Sequence, residues 1–95
     1  MKVRVSSEAR QDLMAIGDYI GRDNAARALS FIQELTDRCA SLADMPLAYP
    51  ILERYEAKGI RRCVHGNYQI FYRVDGDRLY VVRVLHGARD YDALL

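Results

Sequence analysis

Residues 59–95 read GIRRCVHGNYQIFYRVDGDRLYVVRVLHGARDYDALL, and this stretch decides the fold. Three runs rich in β-branched and aromatic residues follow one another. Two tight-turn signals separate them, Gly66-Asn67 and Asp75-Gly76-Asp77. Glycine and asparagine tolerate the positive φ that short hairpin loops demand, so the reading is a three-strand antiparallel meander. Its strands are expected at about Ile60–His65, Tyr68–Val74 and Leu79–His86. Arg61, Arg62, Arg73 and Arg83 punctuate them, and Arg89 follows in the tail. Such a surface suits an anionic or acidic partner without naming one.

Upstream the hydrophobic period changes. Lys2 to Val5 reads as a short strand with Val3 and Val5 on one face. Ser6 or Ser7 suits a helix N-cap, and Glu8 suits the first turn. Ala9, Leu13, Ile16 and Ile20 then form one apolar stripe, and Gly21 ends the helix. Asn24 caps a second helix along Ala28, Ile32, Leu35, Cys39 and Leu42, with Leu29 widening the stripe and Asp44-Met45-Pro46 stopping it. The short connection around Arg22-Asp23 implies an antiparallel helical hairpin. Residues 46–58 read as a loop. The fold class is therefore α+β: an N-terminal strand, then a helical hairpin packed on an antiparallel sheet that ends in the meander.

Hairpin loops of even length would put Cys63, Tyr68, Ile70, Tyr72, Val74, Leu79, Val81 and Leu85 on one face with Arg61 and Arg83. The other face would carry Arg62, Val64, Gln69, Phe71, Arg73, Tyr80, Val82, Val84 and His86. The first set suits the helices. The second, mixing basic, aromatic and β-branched side chains, is expected to meet a partner.

The chain has 95 residues, 51% of them hydrophobic, and a formal net charge of +1. That fits one globular domain, residues 1–95, and gives no global electrostatic case for nucleic-acid binding. From Gly59 onward, however, six arginines face four aspartates. Cys39 and Cys63 form no CxxC motif, and no apolar run approaches the ~20 residues of a membrane span. The expectation is a cytoplasmic protein with two buried, reduced thiols, no metal and no cofactor.

The order of elements, with certain residues, resembles the RelE/ParE toxin superfamily of bacterial type II toxin–antitoxin modules. The residues are Ala9, Asp12, Leu13, Ile16 and Tyr19 on helix one, and Leu42 to Pro46 closing helix two. Gly59 to Arg62, Tyr68 to Val74 and Arg83 to Asp90 complete them. The resemblance spans nearly the whole chain and implies two branches. RelE-type members are ribosome-dependent messenger-RNA endonucleases. ParE-type members poison DNA gyrase. Both are silenced by an antitoxin.

Cleavage of RNA by its own 2′-hydroxyl needs a base, an acid and cations on the phosphate. The RelE-type pattern places basic residues on strand two, an arginine early in strand three, and an arginine with a tyrosine or histidine in the tail. Arg62 and Arg89 fit it. Ile60 and Gln69 do not, and Leu95 stands near the position of the terminal tyrosine. These departures favour the ParE branch, as does the ending HGARDYDALL: a gyrase inhibitor rather than an enzyme, tied to plasmid stabilisation and growth arrest.

That reading implies a ParD-like antitoxin covering the exposed sheet face and a helical-hairpin groove. It gives Arg62, Phe71, Arg73, Val82, Arg89 and Asp90 as partner contacts and Gly87 to Leu95 as the gyrase-facing segment. Direct DNA contact by the toxin alone is not expected. The rival reading is an RNA endonuclease using Arg62, His86, Arg89 and Tyr91. A third is a degenerate toxin kept for a DNA-binding repressor complex. Structural readings compete at each residue: His86 as a hydrogen-bonded strand end, His65 as a solvated turn residue, Tyr91 as tail packing. Arg61 and Arg83 are expected to bond carboxylates such as Asp12 or Asp44, or backbone carbonyls.

Overall fold

The computed structural model describes residues 1–95. Strand β1 (Lys2–Val5) leads into helices α1 (Ser7–Gly21) and α2 (Ala25–Ser41). Strands β2 (Arg61–His65), β3 (Tyr68–Asp75) and β4 (Arg78–His86) follow. Sheet order is β1-β4-β3-β2. The meander is antiparallel as expected, but β1 pairs parallel to β4, so the sheet is mixed. The helical hairpin is the cause: it lies on one face of the sheet and returns the chain to run alongside its own first strand.

Local chemistry sets the boundaries. Ser6 Oγ accepts the Ala9 N–H at 3.0 Å and starts α1, while Asn24 Oδ1 accepts the Arg27 N–H at 2.9 Å and starts α2. Both hairpin loops have two residues, Gly66-Asn67 and Gly76-Asp77. Gly66 and Gly76 carry φ of +59° and +62°, and no non-glycine residue has positive φ. That is the II′ pattern, with glycine at the first loop position, whose twist matches the flanking strands.

The main core lies between helices and sheet. Ala9 and Ile16 from α1, Phe31, Leu35 and Cys39 from α2, and Leu42 just beyond it meet Cys63, Ile70, Tyr72, Leu79, Val81 and Val84. Leu29, assigned to the stripe from spacing, is 77% exposed, and Phe31 takes the buried position. The stripe that meets the sheet is centred on 28, 31, 35 and 39, which turns Leu29 outward.

The loop after α2 is pinned by two side chains. Tyr72 Oη donates to Pro46 O at 2.9 Å, and Arg61 Nη1 donates to Tyr49 O at 2.6 Å. A 3₁₀ segment at Glu53–Lys58, absent from the sequence reading, ends this loop. Its six residues are too few to show an apolar period.

Face assignment holds up to Val81 and fails beyond it. Val81 pairs with Tyr72 and Arg83 with Phe71, so Val82 is an extra residue, a β-bulge. After it the alternation shifts by one. Val84 joins the helix-side core, whereas Leu85, expected there, packs on the opposite face with Ile60 and Phe71. His86 pairs with Tyr68 and turns towards the helices.

At the bulge β4 outruns β1, whose last partner is Val81. Helix α1 covers the open edge. Ser6 Oγ donates to Val82 O at 2.8 Å, and Asp12 Oδ2 accepts the Val84 N–H at 3.0 Å. The same carboxylate takes both arms of Arg83, Nε and Nη2, at 2.8 Å each. This forked pair is shielded, its side chains 16% (Arg83) and 8% (Asp12) exposed.

Removing the carboxylate strands a buried guanidinium. Asp12→Ala is therefore expected to cost about 3 kcal/mol in urea denaturation, and Asp12→Leu combined with Arg83→Met to recover part of it. Alkaline pH is the second lever. Burial pushes the Cys39 thiol up from 9.0 to about 11. The unfolded chain ionises first, so this contribution to stability is complete below pH 9 and lost as pH rises through about 11. Burial also raises Tyr68 and Tyr72, which act in the same direction. Urea midpoints should fall over that range, and Cys39→Val should flatten part of the slope.

Candidate partner-binding surfaces

Two surfaces flank the far end of the meander. One lies on the sheet face away from the helices. There Ile60, Phe71 and Leu85 form a small second core with Leu52, Tyr55 and Val82, and the tail residues Tyr91, Leu94 and Leu95 cover it. Phe71 is fully buried, with the Tyr91 ring 5.0 Å from its own. The expected direct contact between Phe71 and a partner thus fails for the chain as folded: its own tail occupies that place. Polar contacts strap the tail down. Asp92 pairs with Arg54 and accepts from Tyr55 Oη at 2.8 Å, and Lys58 Nζ donates to Leu95 O at 2.8 Å.

The remaining partner residues surround this core. Arg73 lies with its guanidinium 4.7 Å from the Tyr80 ring centre and 3.6 Å from Asp75. Val82 is the half-buried bulge residue. Asp90 is exposed and accepts the Asp92 N–H at 3.0 Å. Arg62 Nη1 donates to Gln69 Oε1 at 3.2 Å, and Gln69 Nε2 donates to Gly87 O at 3.3 Å. Gln69 is only 7% exposed. Where the nuclease pattern carries a phosphate-binding arginine, this chain has a buried amide tying strand to tail.

The second surface is a groove of about 840 Å³ at the turn end of the helical hairpin, where α1 gives way to α2. Tyr19, Ile20, Arg27, Phe31, Tyr68 and His86 are among its walls. Phe31, Tyr68 and His86 form a chain of rings with centres 5.4 and 5.2 Å apart. His65 lies 5.8 Å from Phe31 and 3.5 Å from Glu34, so it is a structural neighbour rather than a solvated turn residue. Arg27 lies over Phe31 and pairs with Glu34, holding that carboxyl below its ordinary value. The sequence reading expected a helical-hairpin groove but gave it no residues, and the bulge is what brings His86 to it. The one available signal was the aromatic spacing of Tyr19, Phe31 and Tyr68.

The four residues of the nuclease reading do not share one site. Arg62 and His86 border one cavity, and His86 and Arg89 another. Tyr91 packs on Phe71. His86 Nδ1 accepts the Ala88 N–H at 3.1 Å, so in the neutral imidazole this nitrogen faces the tail and Nε2 carries the proton. Arg61 and Arg83 are structural, as expected.

Tyr91→Ala should uncover Phe71 at a cost of about 1–2 kcal/mol, the share of one aromatic pair and its burial. An apolar fluorescent dye should brighten on the variant, and limited proteolysis should cut its tail faster, with far-UV circular dichroism unchanged.

The comparisons with known proteins agree with this geometry. A family model described as ParE toxin of type II toxin-antitoxin system, parDE, matches residues 3–91. Toxin ParE1 of Caulobacter vibrioides is 36% identical over 84 residues, covering 87% of this chain and 85% of that protein. A solved structure described as the chromosomal ParDE TA system from P. aeruginosa matches with a TM-score of 0.75, covering 90% of this chain and 95% of that one, and its 20% identity speaks to the fold alone. The toxin–antitoxin complex RelBE2 from Mycobacterium tuberculosis matches over the same shares with a TM-score of 0.67 and 25% identity. No helix of the chain is long and apolar enough to cross a membrane. This chain belongs to the ParE toxin family of type II toxin–antitoxin systems.

Proposed function

We propose that the chain is a non-enzymatic poison of DNA gyrase, acting in the cytoplasm and neutralised by a cognate ParD-like antitoxin. The observation that carries this reading is the link from half-buried Arg62 through buried Gln69 to the Gly87 carbonyl. It fills with structural hydrogen bonds the place where a ribonuclease of this fold would need a free cation for phosphate. His86, with Nδ1 occupied by a backbone N–H, supports the same conclusion.

The antitoxin's seat, in this reading, is the aromatic groove between Tyr19, Phe31 and Tyr68. An amphipathic segment would bury its apolar face there and direct acidic side chains at Arg89, beside His86. Arg62, Arg73, Val82 and Asp90 offer further contacts around the far face. The exposed part of the tail, Gly87 to Asp90, is the surface offered to gyrase, since it is the least committed to either core.

Purified chain incubated with gyrase, ATP and supercoiled plasmid should accumulate protein-linked cleaved DNA, and stoichiometric antitoxin should abolish it. Intact DNA together with messenger-RNA cleavage on added ribosomes would overturn the proposal in favour of the ribonuclease. In that event His86→Ala should abolish cleavage. Under the gyrase reading it should change poisoning less than twofold, a small loss relative to the 10²–10⁴-fold share of a general base or acid.

A further inference from the structure

The strand register gathers cations on a part of the sheet that neither core uses. Lys2 of β1 pairs with Arg78 of β4, which pairs with Asp75 of β3. One step along, Arg4 pairs with Tyr80, which pairs with Arg73. Val3, Val5, Leu79, Val81, Tyr72 and Val74 alternate with these residues and pack towards the helices. Lys2, Arg4, Arg73, Arg78 and Tyr80 therefore share the outer face, below the bulge that disturbs the alternation. Lys58 borders a cavity with Arg73 at the margin of the patch. Asp75 is the acid within the two rows, and it lies near Arg73. A chain of net charge +1 thus concentrates five cations on one flat surface and leaves its acidic surplus elsewhere.

We propose that this patch binds the phosphate backbone of duplex DNA without reading sequence. Its dimensions suit that ligand. Alternate residues of one strand stand about 6.8 Å apart and neighbouring strands about 4.8 Å, so the rows span roughly 10 Å. Duplex DNA carries a charge every ~1.7 Å of its axis, so a surface of that width meets several phosphates. Arg73, held flat on Tyr80, is ordered in advance and offers its N–H edge to an anion. An acidic polypeptide fits less well. It would need apolar anchors along its length, and these lie only at the margin, where Lys58 and Arg73 share a cavity with Ile60, Val82 and Leu95; the residues between the cations of the two rows point to the other side of the sheet. The inference does not rest on gyrase and departs from the sequence-based expectation that the chain alone makes no DNA contact.

The test is fluorescence anisotropy of a labelled duplex of mixed sequence with the whole chain, in the absence of gyrase and antitoxin. The logarithm of the binding constant should fall with the logarithm of salt with a slope of about −3, the signature of roughly three neutralised phosphates. Arg4→Gln with Arg73→Gln should flatten the slope by about 2 and weaken binding ~10-fold or more at roughly 50 mM salt. Arg4→Lys with Arg73→Lys should keep the slope, since phosphate contact follows charge. Arg10→Gln, on the exposed side of α1 outside the patch, should bind as the wild type does. Circular dichroism checks that each variant is folded. The proposal falls if the wild-type chain does not bind the duplex at low salt, or if the glutamine pair binds it equally well. It also falls if poly-glutamate binds more tightly than DNA and loses that affinity in the glutamine pair, which would make the patch a seat for an acidic polypeptide.

Discussion

One carboxylate holds the two layers of this protein together. Strand β4 runs five residues past its last β1 partner, Val81, and the open edge would leave backbone groups without partners. Asp12 closes it by accepting the Val84 N–H and gripping Arg83 from both arms. Ser6 does the same one step earlier, with its backbone on Val81 and its hydroxyl on Val82. The first turns of α1 thus serve as the missing neighbour of β4. That arrangement fixes how the hairpin sits on the sheet, because a shift of α1 would break these five hydrogen bonds together.

The bulge at Val82 lies at the same place, and the functional surfaces follow from it. By adding a residue to β4, it sends Leu85 to the outer face and His86 to the helix side. Leu85 completes the small core under the tail, and His86 joins the ring chain of Phe31 and Tyr68. Without the extra residue, the tail would lose one wall of its seat and the groove one of its rings. The part of the sheet below the bulge keeps regular alternation, and there alone the cations of three strands align.

Much of this was legible in the chain. Ser6 and Asn24 announced their helices because a capping side chain acts locally, within three residues. Gly66 and Gly76 announced short hairpins for the same reason, although the second loop is tighter than the four residues, 75–78, that the strand bounds left for it. Arg83 was recognisable as a structural residue, with Asp12 among its possible partners, because a charge expected on a core-facing position must be paired. The bulge was not legible. It falls inside LYVVRVLH, a run of strand formers with no glycine or proline to mark it, and its cause is the tertiary edge that Asp12 covers. The packing of the tail on the sheet was expected at Tyr91, but nothing in DYDALL says which residue it covers, so the burial of Phe71 was not legible. Leu29 and Phe31 both satisfied a helical stripe, and only the position of the sheet chose between them.

Gln69 has an evolutionary consequence. Its amide joins Arg62 of β2 to the Gly87 carbonyl beyond β4, so one side chain braces three segments. An arginine at this position would offer donors to both neighbours, one of them a cation, and would abandon the Arg62 contact while remaining buried. Gain of a phosphate-binding cation there thus entails re-partnering Arg62 and freeing His86 from the Ala88 N–H in the same lineage. A change at position 69 is therefore coupled to Arg62, although the backbone can stay the same.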